Sequence, residues 1–403
     1  MNIFGIIVRS LRQHALSTAV TAASVALAGG LLLTVWVVKT QSQAAFTGVN
    51  AGFDAVLGAR GSKLQLVLNS IFDLEASPGN VAWQDVLDIQ NNPAVELTVP
   101  IAVGDNYHGW RIVGTTPDLF LKNEYAPGKS FELRPGGNWF DPARRSAVVG
   151  SFVAEKMKLK VGDKFHPFHG LVFDEQKQHA ETYVVVGVLQ PSNTPADRVI
   201  WIPLEGVQRM SGHSPDAGTE VSAVLVKLKA GSALAGFQLD TFYNKQGTRL
   251  TFAWPIGRVI AELFDKIGWF DRVLTLVAWL VALVATSSIL ASIYNSMSER
   301  RRELAILRAL GAHRATVFLT IVLEAAAISA LGVVAGFGIY AALISAVSQI
   351  IRAQTGVVLE PFTFNPVMLW EPAAFIALGA LAGIIPAIKA YRTDVAQNLT
   401  PQS

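Results

Sequence analysis

Four apolar stretches punctuate the chain, and they are unevenly spaced. The first, residues 16–38, carries no charge from Leu16 to Val38; the second, 271–294, carries none from Val273 to Ile293. The third runs from Thr316 to Ile351 and the fourth covers residues 368–388, with Pro386 near its end. Roughly 20 apolar residues cross the hydrocarbon core of a bilayer, so each is long enough to be a transmembrane helix. The third is too long for one straight crossing. Its glycines Gly332, Gly336 and Gly338 allow a bend or a close helix contact, and a span followed by an interfacial helix is expected. Ser42-Gln43-Ala44 passes for a signal-peptidase site, but a signal peptide's apolar region is usually about 7–15 residues, so the first stretch reads as an uncleaved anchor.

Between the first and second spans, residues 39–270 have the patterning of water-soluble protein. AGFDAVLGARGSKLQLVLNSIFDL joins a glycine-punctuated turn to an alternating apolar run. RIVGTTPDLF, SAVVGSFVAEKM, TYVVVGVLQ, RVIWIPLEGV and VSAVLVKL are β-branched runs bounded by Gly, Pro and Asn, the signature of strands. VAWQDVLDIQ and the segment after Phe152 have helical spacing, so an α+β domain is expected. IGRVIAELFDKIGWFDRVL, also helically spaced, extends the second span as a stalk.

Composition agrees with a soluble domain inserted into a membrane anchor. Hydrophobic residues make up 51% and charged ones 16%, against about 25% charged in typical soluble proteins. A net charge of +3 gives no argument for nucleic acid, and the absence of cysteine excludes disulfides, thiolate metal sites and a cysteine nucleophile. The position of the basic residues says more. Arg9 and Arg12 precede the first span, Arg300, Arg301, Arg302, Arg308 and Arg314 separate the second from the third, and Lys389 and Arg392 follow the fourth. With four spans these flanks share one side, which the positive-inside tendency makes cytoplasmic. Residues 1–15, 295–315 and 389–403 are then expected inside, and 39–270 and 352–367 outside.

The segment SERRRELAILRALGAHRATVF, Ser298 to Phe318, resembles the arginine–glutamate pattern and Arg-Ala-Leu-Gly-Ala turn of the FtsX-like, or MacB-like, ABC transporter permease family. PAIKAYRTDVAQNL, from Pro386, is similar to the basic tail that ends that family's fourth span. SAVVGSFVAEKMKLKVGDKF and YVVVGVLQPSNTPADRVIWIPLE resemble its periplasmic core domain. The resemblance covers nearly the whole chain. It implies four transmembrane helices with a large α+β extracytoplasmic domain between the first and second, in a bacterial inner membrane, with both termini cytoplasmic.

It also implies a homodimer or a pair of related permeases working with a separate ABC ATP-binding subunit, which binds ATP and Mg; no cofactor is expected in this chain and no catalytic residue is assigned to it. A periplasmic adaptor or substrate protein is a further expected partner. The coupling surface falls on Glu299, Arg300, Arg301, Arg302, Glu303, Leu304, Leu307, Arg308, Leu310 and Gly311. Leu304, Leu307 and Leu310 recur at three-residue spacing, giving one face of a helix an apolar stripe that a topological anchor does not require. The implied activity is export or extraction of a substrate on the periplasmic side; the alternatives are a transmembrane regulator of a periplasmic enzyme and a membrane-anchored metal-binding protein.

The last alternative rests on His166, His169 and His179, which fall close together with Asp174 and Glu175 between them. Imidazoles and carboxylates suit zinc, although the spacing matches no established zinc signature and also fits a solvated loop. Glu324 is a carboxylate inside the third span, where charge is costly; it reads either as a dimer or coupling contact or as a group near enough to the interface to be solvated. Gly128-Lys129-Ser130 ends like a phosphate-binding loop, but Asn123 stands where the leading glycine is required, and no other Walker-like sequence appears.

Overall fold

A computed structural model describes residues 3–213, 215–299, 312–360 and 363–391. The chain divides into two compact units, one of Met1–Gln41, Ile267–Ser348 and Glu360–Ser403, the other of Ser42–Lys266 and Gln349–Leu359.

The first unit is helical. A short helix, Ile3–Gln13, precedes Ala15–Gly48; later come Ile256–Glu299, Arg314–Thr355 and Val367–Tyr391. Four segments are long and apolar enough to cross a membrane: Ala15–Gly48, Arg272–Asn295, Arg314–Thr355 and Val367–Tyr391. All four contribute to one apolar core through residues such as Val25, Ala285, Ile321 and Phe375.

Small residues bring these helices together, because lipid offers no hydrophobic drive for helix association and close backbone packing must supply it. A Cβ at Gly332 would lie 2.6 Å from Val25 Cβ, and one at Gly336 would lie 3.2 Å from the Ala26 carbonyl oxygen. A Cβ at Gly383 would lie 2.8 Å from that of Ala325. Contrary to the sequence expectation of a span followed by an interfacial helix, Arg314–Thr355 is one helix of 42 residues. Gly332 and Gly336 serve as contact points on the first span, and Gly338 has open space around it. Pro372 and Pro386 both lie within the last helix.

The second unit is α/β. Its strands, in chain order, are β1 (Ala55–Ala59), β2 (Val81–Ala82), β3 (Val95–Tyr107), β4 (Trp110–Thr115), β5 (Glu124–Ala126), β6 (Lys129–Ser130) and β7 (Ser146–Val149). They continue with β8 (Lys164–Phe165), β9 (Phe168–His169), β10 (Tyr183–Val188), β11 (Ile200–Pro203), β12 (Glu220–Val221), β13 (Ala223–Leu228) and β14 (Leu250–Ala253). Among the described residues, ten form one sheet in the order β14-β1-β13-β3-β4-β11-β7-β10-β8, with β9 on β3; β2 pairs with β12 and β5 with β6. The β4–β11 and β7–β10 pairs are parallel and the other neighbours antiparallel, so the unit is a mixed, mainly antiparallel sheet with helices packed on it.

Strand periodicity explains why both faces are buried. Ile200 and Ile202 of β11 join one core and Trp201 joins the other; Ala147 and Val149 of β7 are likewise divided from Val148. The helices Trp83–Gln90, Ser151–Met157 and Leu204–Gln208 cover the first core, and Lys63–Ser70 covers the second. The alternating LQLVL run lies in that last helix. Its start is set by Ser62, whose hydroxyl accepts from the Gln65 amide, and Leu66 and Val67 supply its buried side.

Candidate functional site

Asp105, His169, His179 and His213 converge in the α/β unit, although they come from four separate places in the chain. Strand pairing makes the first two neighbours. The pairing of β13 with β3 ends at Ala223 and Ile101; farther along β3, β9 takes the free edge and sets His169 opposite Asp105. On its other edge β3 carries an extra residue: Val103 pairs with Val113 and Asp105 with Ile112, leaving Gly104 over. Such a bulge re-aims the side chain that follows it, and here both Asp105 and Asn106 are fully buried.

Asn106 fixes the surrounding loop. Its amide group donates to the Gly170 carbonyl at 2.8 Å, and its side-chain oxygen accepts from the Gly109 amide at 2.9 Å. His179 is placed by the bridge between Phe168 and Gln178 and by its own amide, which donates to the Pro167 carbonyl at 2.9 Å. His213 follows the helix Leu204–Gln208. That loop is tied to the segment carrying His179 by Glu181, whose two carboxylate oxygens accept from the Ser211 amide at 3.0 Å and its hydroxyl at 2.9 Å.

One carboxylate oxygen is the focus of the cluster. Asp105 Oδ1 lies 3.1 Å from His179 Nε2, 3.1 Å from His213 Nε2 and 3.5 Å from His169 Nδ1. All four donor atoms are within 4.8 Å of one another. The side chains of Asp105, His179 and His213 are 0%, 5% and 10% exposed, whereas His169 is 49% exposed, so the cluster is buried with one surface-facing member. The hydrogen bond to Asp105 holds the His213 imidazole above its ordinary pKa against the opposing pull of burial, and a hydrogen bond to the Val207 backbone adds to the rise. Asp105 Oδ2 is buried and has no hydrogen-bond partner among the described residues.

Of the histidines singled out from sequence, His169 and His179 belong to this cluster and His166 does not. The His166 Nδ1 is engaged 3.1 Å from the Glu181 carbonyl oxygen instead. Asp105 and His213 were missed because strand pairing and loop anchoring, not sequence proximity, bring them in. The GDN break at the end of an apolar run was the one local sign of Asp105.

In the helical unit, Glu324 is buried and accepts a hydrogen bond from the Ser10 hydroxyl of the short first helix. A second carboxylate, Glu371, was not singled out from sequence. It is 3% exposed, its Oε1 lacks a hydrogen-bond partner among the described residues, and it borders a groove lined by Trp36, Trp279, Trp370 and Phe375. Glu299 ends the helix Ile256–Glu299. Arg300, Arg301, Arg302, Glu303, Leu304, Leu307, Arg308, Leu310 and Gly311 lie outside the described residues.

The model of the MacB-like periplasmic core domain matches residues 15–239, and that of the FtsX-like permease C-terminal domain matches residues 275–395. The macrolide export ATP-binding/permease proteins MacB of Brucella abortus (strain 2308) and Brucella melitensis biotype 1 are each 26% identical over 222 residues. Those alignments cover 52% of this chain and 32% of each relative, so the matched stretch spans about a third of those proteins. The extracellular domain of the noncanonic ABC-type transporter YknZ from Gram-positive bacteria aligns with 50% of this chain and 99% of its own, at 17% identity and a TM-score of 0.29.

Proposed function

The chain belongs to the FtsX/MacB-like permease family of ABC transporters, and from that membership we propose that it couples ATP hydrolysis by a separate partner subunit to the export or extraction of a substrate outside the inner membrane. The observation that carries this reading is the order of parts. A MacB-like periplasmic core match is followed by an FtsX-like permease match, on a chain with four helices able to cross a membrane.

In this reading the α/β unit is periplasmic and both termini are cytoplasmic, as the arginine-rich flanks favour. The segment from Glu299 to Gly311 receives the ATPase, its leucines docking in an apolar groove while its arginines meet acidic rim residues. Closure of two ATPase subunits on ATP and Mg displaces the helices and, through their covalent continuation into residues 42–48, 256–266 and 349–355, the α/β unit. Two copies of the chain, or this chain and a related permease, complete the machine, and the α/β unit engages the substrate or an adaptor.

The test is co-purification of the full chain with its ABC ATPase from membranes, comparing the native chain with Leu304→Asp/Leu307→Asp. A stable complex with stimulated ATP turnover, lost in the double variant, supports the proposal. An unchanged complex and activity in that variant removes the coupling surface. An intact complex that activates a periplasmic hydrolase and moves no substrate replaces transport with regulation.

A further inference from the structure

We propose that Asp105, His169, His179 and His213 form a binding site for a single zinc-class divalent ion in the α/β unit.

The hydrogen-bond arithmetic of the cluster points to this. Three imidazoles crowd one oxygen of Asp105 while the other oxygen, equally buried, receives nothing. A carboxylate held only by hydrogen bonds gains by spreading donors over both oxygens, which together offer about four acceptor positions. Convergence of three nitrogens and one oxygen on a shared point is instead what a cation requires. Bonds of about 2.0–2.2 Å in a tetrahedron place neighbouring donor atoms about 3.3 Å apart. The spacings from Asp105 Oδ1 bracket that value at 3.1, 3.1 and 3.5 Å. All four donor atoms lie within 4.8 Å of one another, and His169, whose side chain is half exposed, is the ligand with most room to adjust.

The donor chemistry selects the metal. Three imidazoles and one carboxylate, with no thiolate in the chain, suit zinc and its neighbours, whereas calcium and magnesium prefer all-oxygen shells. The outer contacts are those of a ligand set held in place. His213 is also hydrogen-bonded to the Val207 backbone, and the Glu181–Ser211 contacts pin its loop. Exposure of His169 alone gives the ion one way in, through a single movable ligand, so binding and release proceed without opening the sheet. The ion ties β9 and the loops carrying His179 and His213 to β3, and so stiffens this edge of the unit.

The experiment uses the full chain in detergent, purified with a tag free of histidine and stripped with a chelator, then titrated with zinc alone by calorimetry. Binding of one ion per chain is expected, weakened more than about 100-fold in His179→Gln and in His213→Gln and unchanged in His166→Gln. Cobalt loading of the native chain gives a second readout that needs no variant: the visible absorption of a four-coordinate nitrogen–oxygen site. Zinc binding that survives both substitutions, or a native chain showing neither stoichiometric zinc uptake nor the cobalt bands, overturns the proposal.

Discussion

Asp73 makes the stability of the α/β unit depend on pH. It sits at φ +55°, and burial pushes its carboxyl up from 3.8 to about 6, against the pull of the Arg111 and Arg198 guanidinium groups. A carboxyl raised on folding favours the protonated native state. Its contribution is therefore complete below the unfolded value near 4 and lost as pH rises through about 6. Asparagine keeps the shape, tolerates left-handed backbone and carries no charge. Asp73→Asn is expected to raise stability at pH 7 by about 1–2 kcal/mol, a discounted figure because the side chain retains some solvent contact, and to leave stability at pH 4 unchanged. Denaturant unfolding of native and variant chains at the two pH values checks this; equal stability at pH 7 refutes it. Glu371 is likewise buried, with its Oε1 unsatisfied among the described residues. Glu371→Gln should leave the thermal midpoint in detergent unchanged or higher, since it removes a charge whose Oε1 is unsatisfied; a fall of several degrees would show that the charge has a partner there.

At the scale of elements, the helix-to-helix contacts are governed by absent side chains. Gly332→Leu forces a branched side chain into the space held by Val25 and the Ala22 carbonyl, where even a Cβ comes within 2.8 Å of that oxygen. Overpacking of this kind costs about 1–3 kcal/mol. Gly338→Leu, at a position with open space around it, should cost little. Thermal unfolding of the two variants in one detergent compares them, and equal losses would count against the packing described.

These elements also show what the sequence made legible. The β-branched runs that became β4, β7, β10, β11 and β13 announced themselves because strand burial imposes short apolar blocks between turn residues. The run around Leu64, Leu66 and Leu68 names no element by itself, because alternation over so few residues is compatible with a helix once Ser62 caps it. The unbroken helix Arg314–Thr355 escaped detection because glycine marks a bend and a close contact alike, and only the neighbouring helix distinguishes them. Half of the histidine cluster was visible as a local concentration of imidazoles. The other half depended on long-range structure: β9 finds the edge of β3 beside Asp105, and the Glu181–Ser211 contacts hold the loop that carries His213.

For the molecule as a whole, the cysteine-free sequence makes the proposed orientation directly testable. Single substitutions Arg301→Cys and Ser130→Cys should be modified by a membrane-impermeant thiol reagent from opposite sides of the membrane, the second from outside in intact spheroplasts and the first only after lysis. Modification of both from the same side would reverse the topology on which the coupling proposal rests. The two units also differ in what disturbs them. Detergent composition should act first on the helical unit, whereas the α/β unit, with its two cores, should respond chiefly to pH and to zinc-class ions.

Gly104 carries a consequence for how the cluster arises and disappears. Because it is surplus to the pairing between β3 and β4 and its carbonyl accepts from the Gly170 amide, its deletion would even the pleat and remove the bond that seats the turn after His169 beside Asp105. Every histidine would remain, yet the ligand set would be dismantled. Presence or absence of metal affinity among kindred chains would then follow a one-codon insertion, invisible to any census of imidazoles.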